Sequence, residues 1–66
     1  MYQLNDIQKR FLIWVLNNGS HADSSFADIV LHQGSYGPKI QIALNEMVEV
    51  YKSDYSNHIT KLLNFC

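Results

Sequence analysis

The residues best suited to chemistry are His21, His32 and His58, a scatter of serines, one glycine-rich stretch and Cys66. A closed structural zinc site needs about four well-placed ligands. The three histidines are far apart and share no Cys-x-x-Cys, His-x-x-x-His or Glu-x-x-His spacing. No metal site and no cofactor is therefore expected. Ser20, Ser24, Ser25, Ser35, Ser53 and Ser56 include neighbours of Asp and His, which a nucleophilic serine would require. A chain this short can hardly enclose a reaction pocket, and helix caps and turns account for these serines. Gly34-Ser35-Tyr36-Gly37-Pro38-Lys39 leads into a helix start, where backbone N–H groups attract anions. It lacks the phosphate-loop pattern, so its glycines and proline read as turn and cap. Cys66 is the single cysteine. It allows no internal disulfide, and a reducing, cytoplasmic setting is the expectation. An enzyme is not expected.

The elements that must position any site are few. The chain has 66 residues, read as one small helical domain over residues 1–66. A chain of ~60 residues buries only about 60% of its unfolded surface. Apolar residues make up 47% of the sequence, enough to specify a folded domain. Five Lys and Arg face six Asp and Glu, for a net charge of −1. That balance lacks the basic excess typical of nucleic-acid binders, and a low net charge favours association. Asp6, Lys9 and Arg10 interrupt any early apolar run, so no signal peptide is expected. The longest apolar run, Phe11 to Leu16, is far short of the ~20 residues that span a bilayer. No membrane partner is expected.

The clearest helix start is Gly37-Pro38, with Pro38 at the first helical position and Gly37 as cap. Ile40, Ala43, Leu44, Met47, Val50 and Tyr51 recur at helical spacing and predict a core face. Gln41, Ile42, Asn45, Glu46 and Glu49 fall on the opposite side. An earlier helix is predicted over residues 6–17, capped by Asn5 with Gln8 completing a capping-box pattern. Gly19 is expected to close it in a left-handed conformation. Leu4, Ile7, Phe11, Trp14 and Val15 share its inner face and Leu12 flanks them, whereas Ile13 falls among polar residues. Residues 21–25 read as a loop before a short second helix over 26–33. There Phe26, Ile29 and Val30 point inward and Leu31 points away.

The fold class is all-α, with three to four short helices around a trihelical core. Ser53-Asp54-Tyr55-Ser56-Asn57 are poor helix formers and good caps. They divide the third helix from a fourth over 55–65. The apolar stripe stays in phase across them, so one long helix from Pro38 to Phe65 is an alternative. A small β-wing pairing residues 48–51 with 58–60 is the third arrangement.

Three segments, Leu4 to Leu16, Phe26 to Leu31 and Ser35 to Val48, resemble in order the helices of helix-turn-helix and winged-helix domains. The match is a pattern of apolar positions over residues 4–51. The resemblance implies a third helix that enters the major groove. Its base-reading positions would be Ser35, Tyr36, Lys39, Gln41 and Asn45. Gln and Asn suit adenine, and Lys suits guanine or phosphate.

Charge argues for a different partner. Glu46 and Glu49 share the outward face of the third helix, where phosphate would repel them. Ile13, Leu16, Leu31 and Ile42 all point off their helices' core stripes, and Tyr36 sits at a turn. Scattered apolar residues on a surface are ordinary, but this many on so small a domain predict a contact surface. The expected partner is another protein or a second copy of the chain, with DNA as the runner-up. The size and style resemble phage and mobile-element accessory proteins, including inhibitors of host systems. A small inhibitor or adaptor is the expectation.

Overall fold

The computed structural model describes residues 1–55, 63 and 65. Helix α1 spans Asp6–Asn18. Its start is the capping box that the sequence announces. The Gln8 backbone N–H donates to Asn5 Oδ1 at 2.8 Å, and the Asn5 N–H donates to Gln8 Oε1 at 2.9 Å. Both bonds satisfy amides that the helix itself leaves without partners. Phe11, Leu12 and Val15 are fully buried along its inner side, and Leu12 is as central as the rest.

The joint after α1 departs from expectation. Helix α2 spans His21–Gln33, so residues 21–25 are helical instead of a loop. Ser20 is the N-cap, accepting from the Asp23 N–H at 3.3 Å. Ser24 then donates its hydroxyl to the Leu16 carbonyl at 2.7 Å and ties the new helix to the end of α1. Several serines in sequence offered caps, and the first of them took the role. Gly19 does not adopt a left-handed cap; its φ is −79°. It is needed for space. A Cβ there would lie 2.8 Å from the Val15 carbonyl oxygen and 3.1 Å from the Tyr51 hydroxyl.

The longer α2 also faces differently. Ala27 and Val30 are buried and Leu31 is half-buried against the core, while Ile29 is exposed. Ala27 permits close approach to α1, and its neighbours Ser24 and Leu31 turn inward with it. Leu31 is thus core-facing, and Ile29 takes the surface place assigned to it. Gly34 ends α2 with a φ of 74°, the left-handed conformation that glycine adopts without strain.

Past Gly34 the chain forms strand β2, Ser35–Tyr36. It pairs antiparallel with β1, Tyr2–Gln3, with Tyr2 opposite Tyr36 and Gln3 opposite Ser35. The Leu4 N–H extends the pairing by donating to the Gly34 carbonyl at 3.1 Å. This small sheet draws Tyr36 inward, so the expected surface tyrosine is a core residue at 2% exposure. Its ring meets Phe65 edge-on at 5.6 Å. Nothing in the local sequence marks a two-residue strand whose partner lies at the other end of the helical pair.

Helix α3 spans Pro38–Tyr51, with Gly37 as N-cap and Pro38 in the first turn. It ends at Tyr51. The Asp54 and Tyr55 N–H groups both donate to the Tyr51 carbonyl, forming a turn. One long helix to Phe65 is therefore excluded, and residues 48–51 are helix, which removes the first strand of the wing. The fourth helix expected over 55–65 concerns residues that lie mostly outside the described ones. The buried side of α3 is Leu44, Met47 and Val48, so the helix is rotated from the expected stripe and Val50 is 69% exposed. The rotation has a polar cause at Gln41 and Asn45, described below.

The architecture is mostly helical, with three helices and a two-stranded sheet among the described residues. Its core joins Phe11, Leu12 and Val15 of α1 to Ala27 and Val30 of α2 and to Leu44, Met47 and Val48 of α3. Tyr55, Leu63 and Phe65 complete it. Among the described residues, no buried side-chain polar atom lacks a hydrogen-bond partner. No helix among them is long and apolar enough to cross a membrane.

Candidate functional site

The strongest polar constellation serves the fold. Asn45 of α3 pairs with the backbone of Phe65 twice: its amide donates to the Phe65 carbonyl at 2.9 Å, and its Oδ1 accepts from the Phe65 N–H at 3.2 Å. Gln41, one turn earlier, donates to the same carbonyl at 3.0 Å. The two amides copy the pairing of a neighbouring strand and seat Phe65 in the core, where it is fully buried. They turn this side of α3 toward the protein, which carries Val48 in and Val50 out.

This pairing decides the fate of the base-reading positions. Gln41 and Asn45 are engaged with Phe65. Tyr36 is buried, and Ser35 is half-buried in β2. Only Lys39 of the set is well exposed. The structure does not bring Ser35, Tyr36, Lys39, Gln41 and Asn45 together as one outward-facing surface.

The contact-surface candidates divide as well. Ile13 and Ile42 are exposed, at 50% and 63%. Leu16 is half-buried beside the α1–α2 joint, Leu31 packs on the core, and Tyr36 lies inside. The structure adds Ile29 and Val50, which the sequence had placed inward. Neither was legible as surface, because both fit an apolar helical stripe. What moved them was the early start of α2 and the polar clasp on Phe65, both set by distant partners.

An open groove of about 310 Å³ lies between α2 and α3, with Val50 in its lining; by helical spacing the exposed Ile42 lies on the neighbouring edge of α3. Asp23 and Phe26 line it from α2, and Ala43, Glu46, Met47 and Val50 line it from α3. The α3 side follows from helical spacing: Ala43, Met47 and Val50 fall on one edge, and Ile42, Glu46 and Glu49 on the next. The groove therefore has an apolar floor and a rim of carboxylates. Glu49 forms an exposed pair with Lys52 at 3.0 Å, a contact that is weak in water.

The wall at Asp23 is fixed. Its carboxylate accepts from the Tyr51 hydroxyl at 2.7 Å, and the same hydroxyl accepts from the Ser20 N–H at 3.0 Å. Trp14 stacks edge-on against Tyr51 at 5.7 Å. One side chain from α3 thus holds the start of α2 in place, and with it one side of the groove.

Asp28 and His32 pair on the exposed side of α2 at 3.3 Å. Among the described residues no group of three or more His, Cys, Asp or Glu is placed to hold a metal. His58 and Cys66 lie outside the described residues. Comparison of the chain with protein-family models, with curated proteins and with solved structures finds no match.

Proposed function

We propose that the chain is a non-catalytic binding module that acts through protein–protein contact. The observation that carries this reading is the groove between α2 and α3, lined by Phe26, Ala43, Met47 and the exposed Val50 beside the carboxylates of Asp23 and Glu46, with the exposed Ile42 on the next edge of α3. Apolar side chains held out on a framework this small cost solubility and return nothing to the fold. A partner that covers them gains apolar burial, and the polar rim sets its orientation. The role is that of a small inhibitor, adaptor or accessory factor, of the kind that phages and mobile elements carry. Ile13 adds a second exposed apolar point on α1.

The nucleic-acid alternative is the weaker one. Four of its five contact residues are committed to the fold, and the exposed side of α3 carries Glu46 and Glu49.

The test compares immobilised wild type with Ile42→Glu and Ile13→Glu in capture from a cell extract, with helical content checked by circular dichroism. The expected result is a protein retained by the wild type and lost with Ile42→Glu, the variants remaining folded. An identical retained set for all three overturns the reading. Retention of duplex DNA that fades as salt rises would put the nucleic-acid reading in its place.

A further inference from the structure

The outer side of α1 is the electrostatic counterpart of the groove. Lys9, Arg10 and Ile13 are all exposed and lie within about one turn of one another, opposite Phe11, Leu12 and Val15. Asp6 shares that side at the helix start. Lys9 and Arg10 against Asp6 leave α1 with a basic excess. Helix α2 carries Asp23 and Asp28 with no Lys or Arg, and α3 carries Glu46 and Glu49 against Lys39, with Lys52 at its C-cap paired to Glu49. A chain of net charge −1 is therefore polarised between a basic α1 and an acidic α2, with Glu46 adding to the acidic side at the groove.

We infer that the groove between α2 and α3 receives the outer face of α1 from a second copy of this chain. This rests on the binding-module reading and names its partner. Ile13 of the incoming helix meets Phe26, Met47 and Val50. Lys9 and Arg10 lay their apolar stems along the groove and bring their charges to Asp23 and Glu46, the two carboxylates that line it. A helix seated in a groove is a common mode of recognition, and the opposed charges set its register. The two surfaces differ, so the contact is heterologous, each copy offering one of each. A standard interface takes ~800 Å² from each partner, roughly a fifth of the 4367 Å² that this chain exposes. One helix face covers less than that, so the association is concentration-dependent.

The test is sedimentation velocity over a wide concentration range, at low and high salt. It uses the wild type, the double variant Lys9→Glu/Arg10→Glu, and the double variant Glu46→Lys/Glu49→Lys. All these positions are exposed, and circular dichroism checks that each variant folds. The wild type is expected to gain mass with concentration, less so in high salt. Each variant alone should associate roughly tenfold more weakly, since its two faces now carry the same sign. An equal mixture of the two variants should regain the wild-type association, because every face again meets its opposite.

A wild type that stays monomeric throughout overturns the inference. If Ile42 still governs capture of another protein, this surface takes a foreign partner and the binding-module reading stands. If capture is absent too, both fall. Self-association that neither double variant weakens, or that the mixture fails to restore, also overturns this pairing of faces.

Discussion

A single hydroxyl, that of Tyr51, closes two helices on one another. It accepts from the Ser20 N–H and donates to Asp23, so the end of α3 is bonded to the start of α2. Tyr51→Phe keeps the ring against Trp14 and removes both bonds. It should cost about 1–2 kcal/mol, read as a lower urea midpoint with an unchanged slope. Gly19→Ala should cost about 1–3 kcal/mol for a steric reason, since the new methyl meets the Val15 backbone. Gly34→Ala meets no atom within 4 Å but must hold a φ of 74°, which costs about 1–2 kcal/mol. The sequence announced the capping box of Asn5 and Gln8, because both partners lie within one turn. It could not announce what Gly19 is for, since the atoms that crowd it belong to Val15 and to Tyr51, far along the chain.

At the scale of elements, caps were easier to read than faces. Pro38 marked the start of α3 through its fixed φ and missing N–H, and Asn5 marked α1. The start of α2 was misplaced because Asp23, Ser24 and Ser25 are also competent caps, whereas Ser20 takes the role through the Asp23 N–H while Ser24 bonds to Leu16. Ser20→Ala should therefore fray the first turns of α2. Its expected cost is about 0.5–2 kcal/mol, with faster amide exchange over residues 21–25. The face of α3 was beyond reach in sequence, since Val48 and Val50 are chemically alike. Asn45 chooses between them by binding Phe65. Asn45→Ala leaves the Phe65 N–H without its side-chain acceptor and removes one donor to the carbonyl. It should cost about 1–3 kcal/mol, measured by thermal or urea unfolding.

For the molecule as a whole the margin is narrow. A domain of this length is stable by roughly 3–10 kcal/mol on the usual per-residue scale. Phe65 is fully buried and meets Phe11 and Tyr36 edge-on. Removing such a ring costs about 3–5 kcal/mol. Phe65→Ala should therefore leave a substantial unfolded fraction near room temperature, seen as a shallow, early melt. The all-helical class and the three helices were legible from apolar periodicity, which small cores impose strongly. The two-stranded sheet and the polar clasp were not, because each joins residues from distant parts of the chain. The candidate surface was half legible for the same reason: Ile13 and Ile42 stand among polar neighbours, whereas Ile29 and Val50 were exposed only by how the pieces met.

The aromatic cluster around Trp14 makes the molecule its own optical gauge. Trp14 is the chain's one tryptophan. Its ring lies 5.7 Å from Tyr51 and 5.4 Å from Tyr55. Light absorbed by either tyrosine reaches Trp14 by energy transfer as long as those distances persist. Emission from Trp14 under tyrosine excitation thus reports closure at the α3 end, while far-ultraviolet ellipticity reports the helices. In Tyr55→Phe, transfer from position 55 ceases while that from the other tyrosines continues, which isolates the share of position 55. Loss of transfer ahead of ellipticity during heating would mean that the segment after α3 lets go before the helices unwind.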